Sequence, residues 1–238
     1  VMARNGANVA IADLHFDDAA SVASEINSLG RAALPVISDV TDQASVDSMI
    51  HTVLERFGRI DILVNNAGVI AAPGWESREV PSDEDWDLIF GINVRGIARV
   101  TETVIPHMKN QRYGKIVNIS SVAGRLGSRT SVPYSASKAA VINLTQTTAV
   151  ELAEFNINVN AICPGVTRTP LSDRNLEVRA QEQGISLEEA LKRHIAPIPI
   201  GRANQPKDIA ALAVFLASPG ARNITGQSYN VDGGLVTS

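Results

Sequence analysis

Short runs of apolar and β-branched residues recur along the chain with little apolar–polar alternation. That is the pattern of strands covered on both faces of a parallel sheet. Six runs read as strands, at 8–12, 33–37, 62–65, 115–119, 158–162 and 227–231. The stretches between them have helical period and predict helices over 17–27, 42–57, 83–110, 134–155 and 206–218. Ser82-x-x-Asp85 and Ser186-x-x-Glu189 have the spacing of capping boxes, and Pro206 suits a first helical position. Strands alternating with helices through short connections indicate an α/β fold with a doubly wound parallel sheet. No repeat or Pro/Gly/Ser linker divides the chain, so residues 1–238 are expected to form one domain. The exception to short connections is 171–200, a length that in a compact α/β domain usually covers a site.

Composition narrows the function classes. The 238 residues are 45% apolar and 19% charged, enough to bury a sizeable core. With 21 basic against 25 acidic residues the net charge is −4, which argues against a nucleic-acid partner because phosphates need clustered positive charge. The longest charge-free apolar run, 209–217, is about half of a bilayer span, and no basic leader with an apolar core is visible, so no membrane or secretory destination is expected. Cys163, the single cysteine, excludes an intrachain disulfide and leaves a reducing, cytoplasmic setting as the expectation. The histidines at 15, 51, 107 and 194 lack metal-ligand spacing, so no metal site is expected.

In open α/β sheets, ligands bind beyond the carboxyl ends of the strands. Those ends carry Asp13, Asp39, Asn65-Asn66-Ala67-Gly68, Ser120-Ser121 and Pro164-Gly165. The strongest local feature is Tyr134-Ser-Ala-Ser-Lys138. Spacing of four on a helix puts both side chains on one face, and an ammonium beside a phenol favours the phenolate. A free phenol has a pKa near ~10, so ionisation at neutral pH asks for about 4 kcal/mol. The competing reading is a surface cation beside a half-buried aromatic. Ser121 could hydrogen-bond a substrate oxygen that the tyrosine protonates or deprotonates, or simply cap a turn. Asn93, mid-helix, is either a tolerated surface residue or a buried polar relay.

Tyr134 and Lys138 with Ser121, Asn93, Asn65-Asn66-Ala67-Gly68, Pro164-Gly165 and Val231-Asp232-Gly233-Gly234, in this order along nearly the whole chain, resemble the short-chain dehydrogenase/reductase family. The resemblance implies a single Rossmann-type domain that moves hydride between a nicotinamide cofactor and a carbinol or carbonyl carbon. It implies Tyr134 as general acid/base and Ser121 as the group orienting the substrate oxygen. Lys138 would lower the tyrosine pKa and bond the nicotinamide ribose, and Asn93 would hold a water linking Lys138 to solvent. Asp39 and Val40 resemble the pair that contacts adenine, through side chain and backbone respectively. Asn66 and Gly68 would pass the adenosine ribose, while Pro164, Gly165, Thr167 and Thr169 would meet the carboxamide and phosphates.

The family's glycine-rich phosphate turn does not occur in this sequence. Val1–Ala7 reads as the end of a first helix, so the first strand, that turn and most of the helix, roughly 20–30 residues on the βαβ pattern, are expected upstream. Asp13, which could alternatively be a turn former, can accept hydrogen bonds from ribose hydroxyls and repel a 2′-phosphate; this favours NAD over NADP. The expected partner is a small alcohol or carbonyl substrate: a secondary alcohol, polyol or hydroxy-ketone. The lid at 171–200 would give an apolar side from Leu171, Leu176, Ile185, Leu187, Leu191 and Ile195, with His194 and Arg174 for polar groups. A 3-oxoacyl thioester reductase is the alternative, with Arg95, Arg99, Arg125 and Arg129 for an acidic carrier; a non-catalytic nucleotide-binding regulator is a third. A homotetramer is implied, and Ile97, Val104, Val141, Leu144 and Thr148 could form its apolar stripe or belong to the core alone. Cys163 reads as a buried small residue rather than a nucleophile.

Overall fold

Every strand that the apolar runs predict forms, and all pair in parallel. The computed structural model describes residues 1–75, 80–127 and 131–237, with Leu171 described by its backbone alone. The strands are β1 (Val9–Asp13), β2 (Ala33–Ile37), β3 (Ile62–Asn65), β4 (Gly114–Ile119), β5 (Ile157–Pro164) and β6 (Ser228–Val231). They fall into two hydrogen-bonded sheets, β1–β2 and β3–β4–β5–β6. The interior strands are the most enclosed, with Lys115, Ile116, Val117 and Asn118 of β4 and all of β5 up to Cys163 buried, whereas Val64 of β3 is 38% exposed.

Helices cover both faces. Ile116 of β4 and Val159 of β5 pack with α2 (Gln43–Phe57), α4 (Ile97–Gln111) and α5 (Val132–Leu152). Val117 and Ile162 turn the other way onto α8 (Pro206–Ala217), as the two-residue period of a strand requires. Helix α1 (Phe16–Ser28) joins β1 to β2.

Two expectations are corrected. The helix foreseen over 83–110 is α3 (Asp83–Phe90), a π-helical turn Gly91–Gly96, and then α4. The apolar pattern runs through all three pieces and so hides the wider turn. Second, the segment 171–200, foreseen as one long connection with a helix start at Ser186, is largely helical. It holds α6 (Pro170–Glu182) and α7 (Leu187–Ile195), separated by Gly184 at φ +62°. Thr169 and Ser172 form a full capping box at the start of α6, with Pro170 at its first position. The two helices share a small core of Leu176, Ala180 and Ala190, against which Ile185 and Leu191 pack. Leu187, expected on that apolar side, is 46% exposed.

The stripe proposed for subunit contact also resolves. Ile97, Val104, Val141 and Thr148 are buried within the chain and Leu144 is half-buried. Four of the five therefore belong to the chain's own interior, and only Leu144 keeps part of its surface.

Candidate active site

The carboxyl end of β4 and the amino end of α5 assemble the central cluster. β4 ends at Ile119, and Ser121 then caps a short 3-10 turn, accepting from the Ala123 N–H at 3.1 Å. The turn presses on α5 so closely that a Cβ at Gly124 would lie 2.6 Å from the Lys138 carbonyl carbon. Only glycine permits that approach. Ser120 adds a second tie, donating to the Lys138 carbonyl oxygen at 2.7 Å.

Tyr134 and Lys138 stand one turn apart on α5, with the Lys138 Nζ 5.7 Å from the centre of the Tyr134 ring. The Ser121 hydroxyl hydrogen-bonds the Tyr134 side chain. Lys138 is 4% exposed and donates to the Ile119 carbonyl at 2.9 Å. An ammonium carries three donors, so two remain for a ligand.

Electrostatics depart from expectation. Burial holds the Tyr134 phenol above its ordinary value, and the Ser121 hydrogen bond only partly offsets this. Burial also lowers the Lys138 ammonium to about 8, with nearby Cys163 pulling weakly the other way. The shift favours the protonated phenol, because desolvation outweighs the Ser121 hydrogen bond.

Asn93 sits in the π turn and is fully buried. Its amide nitrogen donates to the Val69 carbonyl at 2.9 Å and to Ser137 Oγ at 3.1 Å, and its oxygen accepts from the Val69 N–H at 2.8 Å. Ser137 in turn donates to the Tyr134 carbonyl at 2.7 Å. Asn93 thus ties the turn after β3 to the helix bearing Tyr134. π turns are frequent at functional sites. A Cβ on Gly68 would come 3.2 Å from Asn93 Oδ1 and 3.5 Å from Lys138 Nζ. Gly68 itself is exposed, which leaves bare backbone beside two polar groups where a ligand can approach.

The other predicted positions ring this cluster less tightly. Asp13 is exposed at the end of β1, and among the described residues its carboxylate accepts only from the His15 N–H, at 2.9 Å. Asp39 accepts from the Thr41 N–H and hydroxyl at 2.8 and 2.7 Å, contacts that hold its carboxyl below the ordinary value. Val40 is held by α4: its carbonyl accepts from Arg99 Nη1 at 2.5 Å. Asn66 is exposed. Pro164 ends β5, and a Cβ on Gly165 would lie 2.7 Å from that of Asp232. Thr167 donates to the Gly165 carbonyl at 3.1 Å, and the Thr169 hydroxyl is committed to its helix cap, accepting from the Ser172 N–H at 3.1 Å.

Of the four arginines weighed for an acidic carrier, Arg95 is exposed, Arg99 is on Val40, and Arg125 donates to the Ser228 carbonyl of β6. Arg129 lies outside the described residues. Among the described residues no His/Cys/Asp/Glu group could hold a metal ion, and no helix is long and apolar enough to cross a membrane.

Beyond Asn65, already named at the end of β3, the sequence left several supporting residues unnoticed, Thr101, Asn118 and Thr145 among them. Asn65 donates to Thr101 at 3.0 Å and to Asn118 at 2.8 Å, and Asn118 donates to Thr145 at 2.9 Å, a buried polar chain through β3, β4, α4 and α5. A signal existed, since both asparagines interrupt otherwise apolar strands and pair in register. Ser137 and Gly124 had weaker signals, each lying beside a residue already singled out.

The comparisons with known proteins agree in kind. The family described as Enoyl-(Acyl carrier protein) reductase matches residues 1–236. The chain is 38% identical over 240 residues to 3-oxoacyl-(acyl-carrier-protein) reductase FabG of Thermotoga maritima, covering 99% of this chain and 90% of that protein. It is 42% identical over 233 residues to a sorbitol dehydrogenase of Cereibacter sphaeroides, covering 97% and 88% respectively. Among solved structures, an NAD+-bound xylitol dehydrogenase superposes with a TM-score of 0.89 at 30% identity, covering 98% of this chain and 91% of that one.

Proposed function

The chain belongs to the short-chain dehydrogenase/reductase family of oxidoreductases acting on CH–OH groups, and from that premise we propose that it uses NAD to oxidise a small secondary alcohol or polyol, or to reduce the matching hydroxy-ketone. The observation that carries the cofactor choice is Asp13. Its exposed carboxylate keeps most of its acceptor capacity, and Leu14 and His15 beside it supply no arginine to welcome a 2′-phosphate.

The residues present fit a nicotinamide dinucleotide. Lys138 has two uncommitted donors for ribose hydroxyls, Gly68 and Asn66 leave an open edge, and Asp39 and Val40 offer polar groups to adenine. When bound, NAD supplies the hydride acceptor for oxidation and the donor for reduction. Tyr134 exchanges the proton of the substrate oxygen, and Ser121, already hydrogen-bonded to the phenol, orients that oxygen. Reduction starts from the protonated phenol, the form that burial favours. Oxidation requires the phenol to ionise, and Lys138 steadies that charge. Asn93 Oδ1 retains a lone pair for a water leading from Lys138. Thr167, Thr169, Pro164 and Gly165 form the far wall, where the chain passes into α6 and α7, the lid over the substrate.

The polyol assignment draws on the sorbitol and xylitol dehydrogenases among the similar proteins. The second reading, a 3-oxoacyl thioester reductase, draws on the similarity to the Thermotoga protein and on exposed Arg95. A non-catalytic regulator would have no need of the assembled Ser121–Tyr134–Lys138 set. We place the protein in the cytoplasm as a homotetramer, with the outer faces of α4 and α5, where Val150 is 82% exposed, as contact surfaces. Initial rates with NAD and NADP against a panel of polyols, and with NADH and NADPH against 3-oxoacyl thioesters, test the reading. Turnover of a polyol with NAD is expected. Faster turnover of a thioester with NADPH would replace it, and NAD binding without turnover of any substrate would favour the regulator.

A further inference from the structure

Val40 is gripped twice, by α4 and by the last residue of the π turn that precedes it. Arg99 Nη1 donates to the Val40 carbonyl at 2.5 Å. One turn before it, Gly96 lies so close to the Val40 side chain that a Cβ there would come 2.7 Å from Val40 Cγ2. Just past the loop a second link runs between the same helices: Gln43 donates to Thr103 at 3.1 Å, and Thr103 donates to the Arg99 carbonyl at 2.9 Å. Within the loop, Asp39 is closed on itself by Thr41, and its N–H donates to Ser45 Oγ at 2.9 Å.

We propose that Arg99 is a positioning residue for adenine recognition: by holding the Val40 carbonyl on α4, it fixes which groups the Asp39–Val40 peptide can offer the base. This deepens the cofactor reading above and rests on it. With the carbonyl committed to the guanidinium, the Val40 N–H is left as a donor that has no partner among the described residues. Asp39 keeps its second carboxylate oxygen as an acceptor, since both contacts from Thr41 fall on Oδ1. An acceptor followed by a donor matches the amino group and adjacent ring nitrogen of adenine. It mismatches hypoxanthine, which carries an oxygen and an N–H there. The two Thr41 contacts hold the Asp39 carboxyl below its ordinary value, and the charge of Arg99 adds a smaller pull in the same direction. Truncating Arg99 opens into an existing cleft of about 380 Å³ lined by Gln43, Arg95, Ala98 and Glu102, so no closed cavity results.

The test compares the full chain with Arg99→Ala, Arg99→Lys and Gly96→Ala. Dissociation constants for NADH are read by fluorescence titration, KM is compared for NAD and nicotinamide hypoxanthine dinucleotide, and amide hydrogen exchange of residues 39–42 is followed without cofactor. Thermal melts verify folding. Arg99→Ala is expected to bind NADH about tenfold more weakly, the size of one lost hydrogen bond to a charged group, at unchanged kcat. It should also lose preference for the adenine over the hypoxanthine dinucleotide and exchange faster at residues 40–42. Arg99→Lys should recover part of each. Gly96→Ala reaches the loop by the other grip and should weaken NADH binding even if Arg99→Ala fails to fold. Faster exchange with unchanged affinity and base preference would overturn the proposal alone, by making Arg99 only structural. Absence of NADH and NADPH binding by the unsubstituted chain would overturn the cofactor reading and this inference together.

Discussion

The β3–β6 sheet buries a lysine at each end, and each lies beside a tyrosine. Lys115, at the amino end of β4, is 3% exposed with its Nζ 5.8 Å from the Tyr113 ring centre; Lys138, beyond the carboxyl end, is 4% exposed with its Nζ 5.7 Å from that of Tyr134. Burial lowers the pKa of both. The difference lies in what meets the ammonium. Lys115 donates to Asn158 Oδ1 at 2.5 Å, and the same amide is fixed by the carbonyls of Arg222 and Ile224. Lys138 meets one backbone carbonyl, with Gly68 lacking a side chain on its open flank and a serine hydroxyl on the neighbouring phenol. A buried lysine over an aromatic ring is thus insufficient for chemistry. Each ammonium makes one hydrogen bond, so what separates the two ends is the open flank at Gly68 and the serine beside the phenol.

The largest expected effect comes from removing Tyr134, the proposed proton-transfer group. Tyr134→Phe should lower kcat by about 10⁴-fold, the upper end for positioned acid–base groups, while NADH binding measured by fluorescence stays within about twofold because the ring and Lys138 remain. Retained activity would remove Tyr134 from its role.

Next comes the cation. Lys138→Met should lower kcat by about 10²-fold and yet raise stability. The native ammonium is disfavoured by burial, with its pKa pulled from 10.5 to about 8, so the charged form costs about 3 kcal/mol in the fold. The sign follows from proton counting. Between pH 8 and 10.5 the unfolded chain binds more protons than the folded one, so the unsubstituted protein gains stability as pH rises through that window. The advantage of Lys138→Met should be full below pH 8 and vanish near pH 10.5 in urea melts. An advantage independent of pH would place its origin in packing instead.

How much of this contrast the amino-acid pattern reveals differs by level. The strands at 33–37 and 62–65 are legible to the residue because β-branched runs end on polar or glycine signals. Tyr134, Lys138 and Ser121 are legible because their spacing is local. The π turn is not, since a widened turn keeps both flanking helices in apolar phase. The α6–α7 pair is only half legible: Ser186 announces α7, whereas the Thr169–Ser172 cap of α6 uses a serine where the usual signal is Glu or Gln. The chemical difference between Lys115 and Lys138 is not legible either. It depends on Asn158 and Gly68, which reach the two ammonium groups from other strands, and no spacing rule reports a crossing of chain segments 40 or more residues apart. Arg99 is hidden for the same reason, being 59 residues from Val40.

A smaller effect is expected at the adenosine end, where the groups are exposed and each contributes less. Asp13→Ser removes the charge that opposes a 2′-phosphate. The ratio of kcat/KM for NAD to that for NADP should fall by about tenfold, as for an interaction of about 1.4 kcal/mol. An unchanged ratio would show that the choice of cofactor is made elsewhere.

The smallest effect is also the most direct test of the comparison. Lys115→Met removes a buried ammonium of nearly the same exposure and the same ring geometry as Lys138, at the end of β4 away from Ser121 and Tyr134. Since sites without shared partners act independently, kcat and KM should stay within about twofold of the unsubstituted protein. The orphaned Asn158 oxygen should cost about 1–3 kcal/mol, offsetting much of what is regained by relieving the buried charge, so the melting temperature at pH 7 should move less than for Lys138→Met. A fall in kcat approaching that of Lys138→Met would break the distinction between the two ends. Burial of the cation, rather than its open flank and its serine-bonded phenol, would then be the property that matters.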